Sequence, residues 1–158
     1  MKQKIEQLYQ RLVRAGDGLQ SPFLLAVRVY WGWQIVQTGW GKLGDLAKVT
    51  NYFGQLGIPA PGANAVFIST LELVGGILLA AGFASRLAAL LLAGDMAVAF
   101  LAADREALFS AFSDPDKLYA AAPYTFLFAF LIVLIFGPGR ICVDEILARR
   151  DKAKRAKE

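Results

Sequence analysis

The chain has 158 residues, 56% of them apolar and only 19% charged, so it is richer in apolar groups than an ordinary soluble domain. It has no histidine and one cysteine, Cys142, which excludes an internal disulfide, a CxxC redox pair, a thiolate zinc site, His-ligated haem or metal, and a Ser-His-Asp triad. The net charge of +4 is concentrated toward the two ends, and the aromatics sit in apolar runs without basic interleaving, a pattern suited to anionic lipid and not to nucleic acid.

The length fits one domain. Residues 1–20 carry Lys2, Lys4, Arg11 and Arg14, with Ile5, Leu8, Leu12 and Leu19 at roughly helical spacing, which predicts an amphipathic segment on the membrane surface. No small-residue cleavage site follows a short apolar core, so it does not read as a signal peptide. Ser21-Pro22 reads as an N-cap with proline at the first helical position. A first membrane span is expected over residues 22–41. Its Arg28, Ile35, Gly39 and Lys42 fall on one face with Trp31 beside them, and Gln34, Gln37 and Thr38 make it too polar to face lipid all round. Trp40 and Lys42 also mark a membrane interface.

Leu56-Gly57-Ile58-Pro59-Ala60-Pro61-Gly62 ends a polar connection and sets a turn. Spans two and three are expected over residues 63–83 and 87–103. Only Ala84-Ser85-Arg86 separates them, so they form an antiparallel hairpin. Residues 104–118 are mixed in charge, with Leu108, Phe109 and Phe112 able to enter the interface. A fourth span is expected over residues 118–136, where Pro123 either kinks or starts the helix, and Gly137-Pro138-Gly139 stops it. The spans thus lie within residues 21–139, followed by a basic tail over residues 140–158. Most lysines and arginines fall in the N-terminal segment, the Arg86 turn and the tail, whereas Lys42, Lys48, Arg105 and Lys117 fall on the other side. The positive-inside rule then places both termini in the cytoplasm of an all-α, four-helix membrane bundle.

Glu72 interrupts an otherwise uncharged run, and Asp95 sits near the centre of the third span. Carboxyls at that depth are costly and should turn inward. Gly75 and Gly76 would let another helix approach closely. At roughly 1.5 Å per residue, Arg28 falls near the depth of both acids and is the expected counter-ion. One arginine cannot compensate two carboxylates, so one acid is expected to keep a proton at neutral pH. Gln34, Gln37 and Tyr124 complete the expected hydrogen bonding, and Trp31 and Lys42 belong to the same candidate cluster. Two readings stand side by side: a static polar lock that fixes helix packing, and a protonatable site serving a quinone or a proton path.

The chain resembles the DoxX family of small bacterial membrane proteins over roughly residues 22–145. The resemblance rests on the order and spacing of Arg28, Gly39-Trp40-Gly41-Lys42-Leu43, Leu56-Gly57-Ile58-Pro59, Glu72-Leu73-Val74-Gly75-Gly76, Ser85-Arg86-Leu87-Ala88-Ala89, Asp95-Met96 and Gly137-Pro138-Gly139-Arg140 with Asp144. The family often has serine where this chain has Cys142, which argues against a special role for the thiol. The resemblance implies a bacterial inner-membrane location and, through the related DoxD subunit of thiosulfate:quinone oxidoreductase, a quinone-associated redox subunit. In that reading Arg28, Glu72 and Asp95 orient the quinone and manage its proton, Gln34, Trp31 and Tyr124 line its pocket, and a partner subunit carries the electron-transfer cofactor. The chain has no metal, haem or flavin motif of its own. The alternative is a membrane scaffold or small carrier without catalysis, alone or as a homo-oligomer.

Overall fold

The computed structural model describes the backbone of residues 2–155 and the side chains of residues 4–150. Met1, residues 156–158 and the basic side chains of Lys2, Lys152, Lys154, Arg155 and Lys157 lie outside the described residues. Among the described residues there are eight helices and no strand. They are α1 (Lys2–Gly44), α2 (Leu46–Gln55), α3 (Pro61–Ala81), α4 (Ser85–Ala102), α5 (Arg105–Phe109), α6 (Pro115–Ala120), α7 (Ala122–Phe136) and α8 (Val143–Arg155).

The surface segment and the first span are one helix. α1 runs 43 residues, with Pro22 inside it, a length of about 65 Å. Ser21 is therefore not a cap; its Oγ accepts a hydrogen bond from the Arg140 N–H at 3.2 Å. Proline removes one backbone bond, to Gly18, and Gly18 is exposed where other donors can reach its carbonyl.

α3 and α4 are each long and apolar enough to cross a membrane. The chain turns between them through Gly82 (φ 77°) and Ala84 (φ 47°), both left-handed. The fourth predicted span is divided. α6 ends at Ala120, Ala121 is extended, and α7 starts anew with Pro123 in its first turn. Pro123 thus starts a helix and does not kink one, as expected for a residue without an N–H to donate. α7 has 15 residues.

α1 packs along α3 and touches α7, α4 packs against α7 and α3, and α2 lies against α3. Glycines set the α1–α3 approach. A Cβ on Gly39 would stand 2.5 Å from Leu73 N and 2.7 Å from Ser69 O, and one on Gly32 would stand 3.0 Å from Ala80 and from the Gly76 carbonyl. Ile35, Leu79, Leu92, Phe130 and Val133 fill the interior. The polarity is inverted relative to a soluble domain: Arg28, Ser69, Glu72, Ser85 and Asp95 are buried, whereas Phe67, Val74, Ile77, Leu90, Val98, Phe128 and Ile135 are exposed. Large apolar side chains spread over whole helix faces suit a lipid surround.

Candidate functional site

The last turns of α1, the middle of α3 and the middle of α4 meet at a charged triad. Lys42 Nζ lies 2.6 Å from Glu72 Oε1. Glu72 is 1% exposed, and Asp95 brings a second buried carboxyl within hydrogen-bonding reach of it. The approach of α1 at Gly39 brings Lys42, three residues further on, over Glu72. Glu72 Oε2 and Asp95 Oδ2 find no donor among the described groups.

The triad forms one wall of a partly open cavity of about 650 Å³, a size in the range of small-molecule sites. Gln37, Thr38 and Gly41 of α1 and Ile68 of α3 line it beside the triad. α2 covers it with Val49, Tyr52 and Phe53, and α4 contributes Met96 and Ala99. Asp45, Lys48 and Asp104 also line it. Asp45 Oδ1 caps α2 by accepting from the Lys48 N–H at 3.1 Å. Among the described residues no group of three His, Cys, Asp or Glu side chains converges as a metal site.

Of the residues predicted to form the site, Gln37, Lys42, Glu72 and Asp95 line this cavity, whereas Arg28, Trp31, Gln34 and Tyr124 do not. The expected pairing of Arg28 with the two acids is replaced by Lys42, because fourteen residues along α1 separate the two cations by about 21 Å. Lys42, also expected at a membrane interface, turns its ammonium onto Glu72. Trp31 packs edge-on against Phe126, and Tyr124 lies against Tyr119 and Phe128. The Gln34 carbonyl accepts from the Thr38 hydroxyl at 3.0 Å. The cavity walls given by α2 were not foreseen. Their one sequence signal is the amphipathic pattern of residues 46–55, which reads equally as a surface helix.

Arg28 organises a second polar centre at the other end of α3. It is completely buried, and Nη2 donates to the Ile141 carbonyl at 2.6 Å, while Nε and Nη1 have no hydrogen-bond partner. Gly82 lies directly on the guanidinium; any Cβ there would collide with Nη1. Asp144 accepts from the N–H groups of Ala84 and Ser85 at 2.9 and 3.3 Å, and its own N–H donates to the Gly82 carbonyl. The buried Cys142 donates through Sγ to the Gly139 carbonyl at 3.2 Å. Residues 139–144 are thereby clasped against α1 and the α3–α4 turn.

The DoxX family model matches residues 23–105, a little over half of the chain and the part that holds Arg28, Lys42, Glu72 and Asp95. Over 134 residues the chain is 28% identical to the inner membrane protein YqjF of Escherichia coli (strain K12), an alignment covering 84% of this chain and 97% of that protein. No solved structure matches the chain. The chain is a membrane protein and belongs to the DoxX family.

Proposed function

We propose that the protein is a four-span inner-membrane bundle, with α1, α3, α4 and α7 as spans and both termini cytoplasmic, that binds a quinone-type ring compound as the membrane subunit of a redox complex. The observation that carries this reading is the cavity whose apolar walls close on Lys42, Glu72 and Asp95. A ring compound needs an apolar slot for its body and a few placed polar groups for its oxygens. Val49, Phe53, Ile68 and Met96 supply the first. Lys42 and the two carboxyls supply the second, and carboxyls facing one another beside an ammonium can take up and release a proton. A quinone would supply two-electron chemistry when bound. The chain's own residues bind and orient it and exchange protons with it, and a partner subunit carries the electron-transfer cofactor.

The topology reading is supported by the basic side chains at the Arg28 end, where Arg86 and Arg140 lie near the clasp. The test of the ligand reading is mass spectrometry of lipid extracts from gently purified protein. Quinone enriched over bulk lipid in wild type and lost in Glu72→Gln supports the site; absence of enrichment in wild type removes the reading.

A second reading, a membrane scaffold or small carrier without catalysis, is favoured by one observation. Arg28, a fully buried charge, makes its one hydrogen bond to backbone far along the chain, as a packing lock does. The Arg28 centre fits that role and the Lys42 cavity does not need it.

A further inference from the structure

We infer that the Lys42 cavity takes its ring ligand in the hydrogen-bond-donating form, the hydroquinone, in preference to the quinone. The inference rests on the quinone-site reading and concerns which redox form fits. The buried wall is rich in acceptors and poor in donors. Glu72 and Asp95 are nine-tenths or more buried, both line the cavity, and each presents an oxygen without a donor. Among the described residues Lys42 makes the one ion pair to this wall, at Glu72 Oε1. The neighbouring polar groups do not supply the missing donors. The Thr38 hydroxyl donates to the Gln34 carbonyl, and the Asn64 amide donates to the Pro59 carbonyl at 2.6 Å. Gln37, Lys48 and Tyr52 also line the cavity, but at exposed positions where water competes for their donors.

A carboxylate offers about four lone-pair sites, so even one proton shared between the two carboxyls leaves acceptor capacity unused. A quinone presents carbonyl oxygens, acceptors only, and meets at the buried wall only Lys42, its other donors being the solvated Gln37, Lys48 and Tyr52. A hydroquinone presents two O–H donors and can place one on each carboxyl. Hydrogen bonds to a charged group are the stronger kind, and leaving a buried acceptor unmet is costly.

The test is equilibrium binding of decylubiquinol and decylubiquinone, measured anaerobically by dialysis against the full chain in lipid nanodiscs, with empty nanodiscs as blank. The expected result is binding of the reduced form at least about tenfold tighter, with the preference reduced severalfold or more in Asp95→Asn, which exchanges an acceptor for a donor. Equal binding, tighter binding of the oxidised form, or a preference unchanged in both Asp95→Asn and Glu72→Gln overturns the inference and leaves the quinone site standing. Binding of neither form above empty nanodiscs overturns both. The wild-type ratio is read on the native chain, so a variant that fails to fold does not decide the outcome.

Discussion

Arg28 and Ile141 are joined by a 2.6 Å hydrogen bond that spans 113 positions of sequence, from the first long helix to the segment before the last one. The guanidinium reaches a backbone carbonyl and no carboxylate, and it does so with two of its nitrogens otherwise unpartnered. Its contribution is to hold residues 139–144 on the α3–α4 turn. Arg28→Met should therefore loosen that segment first. A loss of about 1.5–3 kcal/mol is expected for a hydrogen bond to a charged donor. It would be read as a lower melting temperature and as faster proteolysis at the start of α8. Ligand binding at the Lys42 cavity should persist in the folded fraction; equal loss at both places would mean that the two centres act as one.

Lys42 and Glu72 make the converse case. Removing the ammonium leaves a buried carboxylate facing a second one, and breaking a buried pair from one side costs about 3 kcal/mol or more. Lys42→Met should thus be more damaging to thermal stability than the double variant Lys42→Met/Glu72→Gln, which removes the stranded charge. The coupling expected from the cycle is roughly 0.5–3 kcal/mol. Additive losses would show that the 2.6 Å contact contributes no net interaction.

How much of this was readable from the chain differs from residue to residue. The inward turn of Glu72 and Asp95 followed from the cost of a carboxyl in an apolar run, and both are buried. The face of α1 that holds Arg28, Ile35, Gly39 and Lys42 followed from helical geometry, and it does face inward. Which cation meets the acids did not follow, because depth estimates by counting residues depend on where α1 starts. Pro22 marked that start in the sequence, whereas the helix runs through it. Lys42 could be read two ways, on the inward face of α1 and as a headgroup anchor, since a lysine at a span's end ordinarily reaches for water. Its inward turn depends on the α1–α3 register, which is a tertiary fact. The cover given by Tyr52 and Phe53 is of the same kind: periodicity shows that α2 has an apolar face but not what that face covers.

The glycines of α1 and α3 differ in what surrounds them, and that difference is testable. At Gly39 an added methyl meets the backbone of Leu73 and Ser69, which cannot move without separating the helices. At Gly75 it meets only the Leu92 side chain, at 3.2 Å, which can rotate away. Gly39→Ala should cost about 1–3 kcal/mol or more and displace Lys42 from Glu72, whereas Gly75→Ala should melt close to wild type. Equal melting temperatures would show that α1 and α3 tolerate a wider spacing than the structure has.

Topology can be read with the two ends of the molecule as reporters. Tyr9 lies on the exposed N-terminal part of α1, and Phe112 is fully exposed between α5 and α6. With both termini cytoplasmic and four spans, these positions fall on opposite sides of the membrane. In a Cys142→Ser background, a membrane-impermeant maleimide should label Phe112→Cys in intact bacterial spheroplasts and Tyr9→Cys only after permeabilisation. Replacing Cys142 removes a buried thiol with two local hydrogen bonds, both of which a serine hydroxyl can also make. Labelling of both positions from outside would require an even number of spans between them. It would also move the mouth of the Lys42 cavity, which lies on the Phe112 side with Asp104 at its edge, relative to any partner that delivers electrons.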